Sequence, residues 1–178
     1  MMTQNRPQAS DYAPHFAKYI SQVPDGDFLE TLGSQLKHFT RLLSPLTEKQ
    51  AAFRYAPDKW SIKEVLGHIN DTERVFAYRL LRISRGDQTP LPGFEQDDYI
   101  KTANSGSRAV ADLLEEFASI RRASITLIDS LDDVSWHRRG TASGKEISAQ
   151  ALAFIIAGHA IHHQAILEKQ YLPALPAS

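Results

Sequence analysis

Apolar residues recur every three or four positions in four long segments of the chain, which is the spacing of one face of an α-helix. The pattern predicts helices over residues 27–44, 61–85, 107–131 and 148–171. Gly86 is suited to end the second of these helices, and Pro173 ends the fourth. The sequence has no convincing strand pattern. Four long amphipathic helices predict an all-α fold, a four-helix bundle whose core lies between the helices.

The remaining segments read as connections. Residues 1–26 contain three prolines and are interpreted as an N-terminal arm. A short helix is expected over residues 94–101, and residues 132–146 read as an irregular connection with a small hairpin-like excursion. These boundaries give a helical-bundle domain over residues 27–172 and a C-terminal tail over residues 173–178.

The fourth segment carries two histidines on its apolar face. His159 and His163 are four residues apart, so on a helix their side chains lie one above the other. They point the same way as Leu152, Ile155 and Ile166. Imidazoles are unusual on such a face because each buried ring needs a polar partner. A divalent metal ion held by both rings is one interpretation. Core or surface histidines with ordinary hydrogen bonds are the other.

A third ligand would have to come from another helix, and His68 is the best candidate. Its helix begins with a capping box, in which Ser61 is the N-cap and Glu64 follows three residues later. His68 then lies about 100° from the middle of the apolar stripe, at the border of the core. Packing of the second and fourth helices can bring it beside His159 and His163. Three neutral imidazoles with an open position are typical of a catalytic metal site.

Two motifs carry a resemblance to the DinB/YfiT-like superfamily of small four-helix metal-binding proteins. The segment Trp60–Ile69 is similar to the family's W-S-x-x-E-x-x-x-H helix start, and the segment from His159 to His163 is similar to its H-x-x-H-H run. The family commonly has Arg and Gly where this chain has Gln164 and Ala165, a departure that leaves the histidines unchanged. The resemblance covers most of the chain.

The resemblance implies a fold, a metal and a range of activities. It implies a DinB-like four-helix bundle in which His68, His159 and His163 bind one divalent metal ion between the second and fourth long helices. Zinc or nickel is favoured, while iron, manganese and copper stay open. It also implies an enzyme acting on a small molecule, either a metal-dependent hydrolase or an S-transferase that uses a low-molecular-weight thiol. The site would activate water or the thiol. A non-catalytic, stress-related metal-binding or interaction protein is the alternative.

Four neighbouring polar residues have two interpretations each. Glu64 and Asp71 are candidate catalytic residues, because they lie near the His68 face at i−4 and i+3. Capping for Glu64 and simple solvation for Asp71 are the competing interpretations. His162 is more typical of a helix-interface hydrogen bond than of a ligand. Gln164 could face either the site or a neighbouring helix.

Composition narrows the class of protein further. The chain has 178 residues and a formal net charge of −1, without the basic surplus that a nucleic-acid partner would favour. It contains no cysteine, which excludes disulfides, a cysteine nucleophile and Cys-based zinc sites. We find neither a signal-peptide pattern nor a membrane-spanning run, and therefore expect a cytoplasmic protein. Helix-face pairing among relatives favours a homodimer, with Leu80, Leu81 and Ile83 as candidate interface residues.

Overall fold

The computed structural model describes residues 5–176, within which it has eight α-helices and one hairpin. Four of the helices are long, and their bounds agree closely with the segments predicted from periodicity, so the predicted four-helix bundle is confirmed. In chain order the helices are α1 (Ala17–Ile20), α2 (Phe28–Leu43), α3 (Glu48–Ala51), α4 (Ile62–Ser84), α5 (Gln96–Thr102), α6 (Val110–Asp129), α7 (Asp133–His137) and α8 (Ala149–Ile166).

Side-chain caps explain where the long helices begin. The Asp27 carboxylate accepts a hydrogen bond from the Glu30 backbone N–H at the start of α2. The capping box predicted for α4 is present, with the Ser61 hydroxyl accepting from the Glu64 N–H. Ser148 caps α8 in the same way. Each cap satisfies a backbone donor that the first turn of a helix leaves free.

The connection before α8 contains the hairpin. Strand β1 (Arg139–Ala142) pairs with β2 (Lys145–Ser148) in antiparallel register. The two turn residues, Ser143 and Gly144, both have positive φ values of 52° and 72°. That is the backbone conformation that a tight two-residue turn between twisted strands requires. The hairpin-like excursion expected from the sequence is therefore a regular two-stranded element.

Helix α8 lies at the centre of the bundle and is not amphipathic, in contrast to the sequence prediction for it. Thirteen of its eighteen residues are buried, because α1, α2 and α4 pack around it. A helix enclosed in this way is apolar on nearly all sides. It ends at Ile166 and continues into a π-helical turn over Leu167–Tyr171, so the long helix is shorter than the predicted 148–171.

A buried polar layer joins the four long helices. The Arg121 guanidinium on α6 donates to both carboxylate oxygens of Glu73 on α4, at 2.8 to 3.2 Å, and to the Gln35 amide oxygen on α2. The Gln35 amide nitrogen donates to the Ala157 carbonyl on α8 at 2.9 Å. Arg121 is fully buried and Glu73 is 3% exposed. Along α2, α4 and α6, this layer separates two apolar clusters of the core.

The segment expected to form an N-terminal arm lies against the bundle. Ile20 and Val23 are 1% and 2% exposed and belong to the core. Arg6 ties the segment together by donating to the Ile20 and Val23 carbonyls. Helix α1 approaches α8 so closely that a Cβ added at Gly158 would lie 2.1 Å from the Tyr19 carbonyl oxygen. The first four residues of the predicted arm and the last two of the predicted tail lie outside the described residues.

Two of the three candidate dimer residues are part of the core. Leu80 and Ile83 are 0% and 1% exposed, whereas Leu81 is 40% exposed beside the half-exposed Tyr78. An interface at this end of α4 would therefore use the Leu81 side of the helix, and the homodimer stays a prediction. None of the described helices has the combination of length and hydropathy that a membrane span requires.

The close approach of α1 to α8 predicts opposite effects for two Gly→Ala substitutions. Gly158→Ala should lower the free energy of unfolding by about 1–3 kcal/mol, because the new methyl group would overlap the Tyr19 backbone. Gly33→Ala on α2 meets no atom within 4 Å and should stabilise the protein by roughly 0.5–1 kcal/mol through helix propensity. Urea denaturation measures both values. Changes of the same sign would contradict the close contact.

The polar layer predicts strong energetic coupling between Arg121 and Glu73. Arg121→Met or Glu73→Leu alone should cost about 3–5 kcal/mol, because each leaves a buried charge without its partner. The double variant should cost much less than the two single costs combined. The exposed pair Arg122–Glu115 is the matched control, for which a double-mutant cycle should give roughly 0–1 kcal/mol. Independent, additive effects at Arg121 and Glu73 would show that the layer is not a closed network.

Candidate metal centre

Three histidine rings meet where α4 packs against α8. His68 Nε2 lies 3.0 Å from His159 Nε2, and His163 Nε2 lies 3.1 Å from the same atom. The three ring centroids are 4.5 to 4.9 Å apart. The i, i+4 spacing on α8 stacks His159 and His163, and the α4–α8 packing supplies His68. These are the three histidines that the sequence selects, and we call them the histidine triad.

Burial keeps the triad neutral. His68, His159 and His163 are 4%, 6% and 9% exposed. Burial, with a smaller contribution from His162, lowers the pKa of His68 from 6.5 to about 4. Burial also lowers the pKa of His159 and His163 well below 6.5, with contributions from the other rings and from Lys18. Neutral imidazoles are the form that coordinates a metal ion.

The donor atoms of the triad fit a divalent transition metal. One donor atom from each ring lies within 4.8 Å of the others. Nitrogens bound at 2.0–2.1 Å to one tetrahedral zinc ion would be separated by roughly 3.3 Å, close to the two distances here. Without a metal ion, two imidazole nitrogens this close need a proton between them. His159 Nε2 cannot form a good hydrogen bond of this kind with His68 and His163 at the same time. Within residues 5–176 no carboxylate and no fourth histidine joins the group. An all-imidazole set suits zinc, nickel, copper or iron.

Two residues on the α4 side hold the His68 ring. The Thr72 hydroxyl lies 3.4 Å from His68 Nδ1, where it can accept a hydrogen bond from an Nδ1 proton, the tautomer that leaves Nε2 free toward the triad. The Trp60 ring lies 4.8 Å from the His68 ring, and its backbone carbonyl accepts a hydrogen bond from the Tyr171 hydroxyl at 2.7 Å. Sequence reasoning missed Thr72, although its i+4 spacing from His68 places it on the same helix face.

Tyr19 of α1 forms the opposite wall. Its ring meets the rings of His159 and His162 edge-on at 5.4 and 5.3 Å. His162 is half-buried and its ring is 5.1 Å from that of His163, but it does not belong to the donor group. Nothing in the sequence of the N-terminal segment pointed to Tyr19, because its position depends on the docking of α1.

The two candidate catalytic carboxylates lie outside the triad. The Glu64 carboxylate accepts from the Ser61 N–H at 2.6 Å, the Ser61 hydroxyl at 2.9 Å and the Arg54 guanidinium at 2.8 Å. Asp71 lies 3.8 Å from Arg74, and partial burial raises the pKa of its carboxyl group. No hydrogen bond joins either carboxylate to a triad ring among the described residues.

Gln164 faces away from the triad. With Gln35 and His38 it lines a cavity of about 490 Å³ on the α2 side of α8. Its amide nitrogen lies 3.5 Å from the Glu168 carboxylate, which His38 also contacts at 2.6 Å. Of the two interpretations left open by the sequence, the contact with a neighbouring helix is the one this position favours.

Comparison with known proteins places this arrangement in a family. No curated protein matches the sequence at a significant level. Among the solved structures that match is that of YfiT from Bacillus subtilis, with a TM-score of 0.71 over 93% of this chain and 91% of that chain, at 16% identity. That protein is described as a probable metal-dependent hydrolase with an unusual four-helix bundle topology. A family model of the DinB superfamily matches residues 19–167, a range that includes the long helices and the triad. The chain therefore belongs to the DinB superfamily.

Proposed function

We propose that this protein is a metal-dependent enzyme whose histidine triad binds one divalent ion. The observation that carries the proposal is the set of three neutral, buried imidazole nitrogens converging from α4 and α8. Within residues 5–176 no fourth side-chain ligand completes the set. Sites with three protein ligands and an open position are typical of catalysis, whereas structural zinc sites are usually closed by a fourth ligand. A set of three imidazoles without a fourth side chain favours the enzyme over the non-catalytic metal-binding alternative.

The proposed reaction is hydrolysis or thiol S-transfer on a small molecule, with zinc or nickel as the ion. A divalent ion held there acts as a Lewis acid and lowers the pKa of a bound water or thiol. The triad residues contribute neutral donors, so they do not compensate the charge of the ion. Thr72 orients the His68 ring, while the rings of Trp60 and Tyr19 exclude bulk water from two sides.

The surroundings of the two carboxylates bear on the choice of reaction. Glu64 has its hydrogen-bonding capacity occupied by Ser61 and Arg54, which favours its capping role. Asp71 is the better candidate for a general base, since the raised pKa of its carboxyl group makes it a stronger proton acceptor. A thiol activated by the ion needs less help from a carboxylate than water does. The positions of Glu64 and Asp71 thus support S-transfer at least as well as hydrolysis.

The metal proposal predicts a defined stoichiometry and a defined ligand set. Purified protein loaded with zinc and dialysed should retain about one equivalent by elemental analysis. His68→Ala, His159→Ala and His163→Ala should each lose most of it, because two imidazoles hold the ion far more weakly than three. His162→Ala is the matched control on the same helix, and His137→Ala is an exposed control; both should retain one equivalent. Retention of metal in all three triad variants would place the site elsewhere.

Burial of the triad also predicts how the metal-free protein responds to acid. His68 titrates with a pKa near 6.5 in the unfolded chain and about 4 in the fold. Its contribution to stability is therefore fully present above pH 6.5, falls below that value, and is lost as the pH passes through about 4. The pKa difference corresponds to roughly 3 kcal/mol.

Denaturation of chelator-treated protein between pH 7.5 and 4 measures this dependence. His68→Gln should make the loss of stability below pH 6.5 less steep, because an amide does not titrate, while His159 and His163 still contribute. His137→Gln, which changes an exposed ring, should leave the wild-type slope. If His68→Gln and the wild type lose stability in parallel, the low pKa of His68 is wrong.

A further inference from the structure

The ionisable groups that act on the triad are all basic, and Lys18 is the one among them that is charged near neutral pH. The neighbours that lower the pKa of His159 and His163 include the other histidines and Lys18. His162, at the rim, is lowered by burial and by Lys18. No carboxylate acts on these rings among the described residues. With neutral donors and a divalent ion, the centre would be strongly electropositive, and its counter-charge would have to come from a bound molecule.

The Tyr19 ring contacts both Lys18 and the triad. Its ammonium nitrogen is 4.8 Å from the centroid of the Tyr19 ring, and that ring in turn meets His159 at 5.4 Å and His162 at 5.3 Å. Lys18 is exposed, and none of the ion pairs within residues 5–176 includes it. The cation is therefore available to a ligand at the rim of the site.

The backbone that carries Lys18 is held firmly in place. Gly158 lets the Tyr19 carbonyl lie directly on α8, and Ile20 is buried in the core. The Lys18 carbonyl accepts a hydrogen bond from the Gln22 amide at 2.6 Å. The ammonium group therefore lies at the end of a flexible side chain on a well-packed backbone, next to the Tyr19 ring. Such an arrangement can receive a charged group beside the Tyr19 ring without a change in the fold.

We propose that the substrate carries a carboxylate that Lys18 binds, while its reacting group reaches the histidine triad. Tyr19 lies between the two positions and offers an aromatic surface to the part of the substrate that joins them. The substrate class is therefore a small organic acid, such as a thiol acid, whose acidic group and reacting atom are separated by about the span of the Tyr19 ring. This inference rests on the proposed metal site and adds a substrate-binding residue and a charge requirement to it.

A matched pair of thiols tests the charge requirement. The probes are 3-mercaptopropionate and 3-mercaptopropan-1-ol, which differ in their carboxylate and hydroxyl ends. Protein loaded with cobalt(II) would be titrated with each, and binding would be followed through the cobalt absorption bands. The ratio of the two affinities isolates the carboxylate, because both probes place the same sulfur at the triad.

We expect the wild type to bind the acid more tightly than the alcohol. Lys18→Gln should reduce this preference about three- to fivefold, the range for one partly exposed charge pair. Lys18→Arg should retain the preference, and Lys18→Glu should shift it toward the alcohol. Lys145→Gln, an exposed lysine in β2, is the control and should behave as wild type. High salt should weaken the Lys18 contribution.

Two failures would be distinguishable. If cobalt does not bind, or binds equally well to the triad variants, the metal site is wrong and the inference built on it falls with it. If cobalt binds at the triad but Lys18→Gln and Lys18→Glu leave the acid-to-alcohol ratio unchanged, Lys18 is an ordinary solvated lysine and the substrate proposal alone is overturned.

Discussion

The enclosure of α8 is the constraint on which the rest of the structure depends. A helix with neighbours on nearly every side can carry polar groups only if other parts of the chain meet them. The Ala157 carbonyl receives the Gln35 amide, and the Gln150 side chain donates to the Asn5 carbonyl. His159 and His163 have their ring nitrogens directed at each other and at His68. Among the described residues, His159 and His163 therefore have only other imidazoles as hydrogen-bond partners.

The bundle places two buried polar assemblies close together, and they differ in how they are satisfied. In the layer of Arg121, Glu73 and Gln35, charges and amides match, so the donors of the guanidinium are met within the protein. The triad offers lone pairs with no matching set of donors. The first assembly specifies how the four helices align, a role attested for buried polar groups in some proteins. The second leaves lone pairs that the proposed metal ion would satisfy.

Periodicity and capping were sufficient to predict the four long helices, since both are local properties of the chain. The triad was predictable because its two α8 members have helical spacing and its third member lies in a recognisable motif. The polar layer was not, because Glu73 and Arg121 look like surface charges until the rotation of each helix is known. Lys18 and Tyr19 were missed for a related reason. Their segment is short and rich in proline, and its place against Gly158 depends on a contact between residues far apart in the chain.

Through that contact, two parts of the chain that differ in how well they tolerate substitution come together at the candidate metal centre. The triad belongs to the long helices, where a change of ligand disturbs the core. Lys18 and Tyr19 come from a four-residue helix outside the bundle, attached to it through a glycine and a few apolar side chains. Substitutions in this segment can alter what lies beside the rings while the ligand set and the bundle stay the same. On the role proposed for Lys18, a protein with this fold and these three histidines could change its substrate through its N-terminal segment alone.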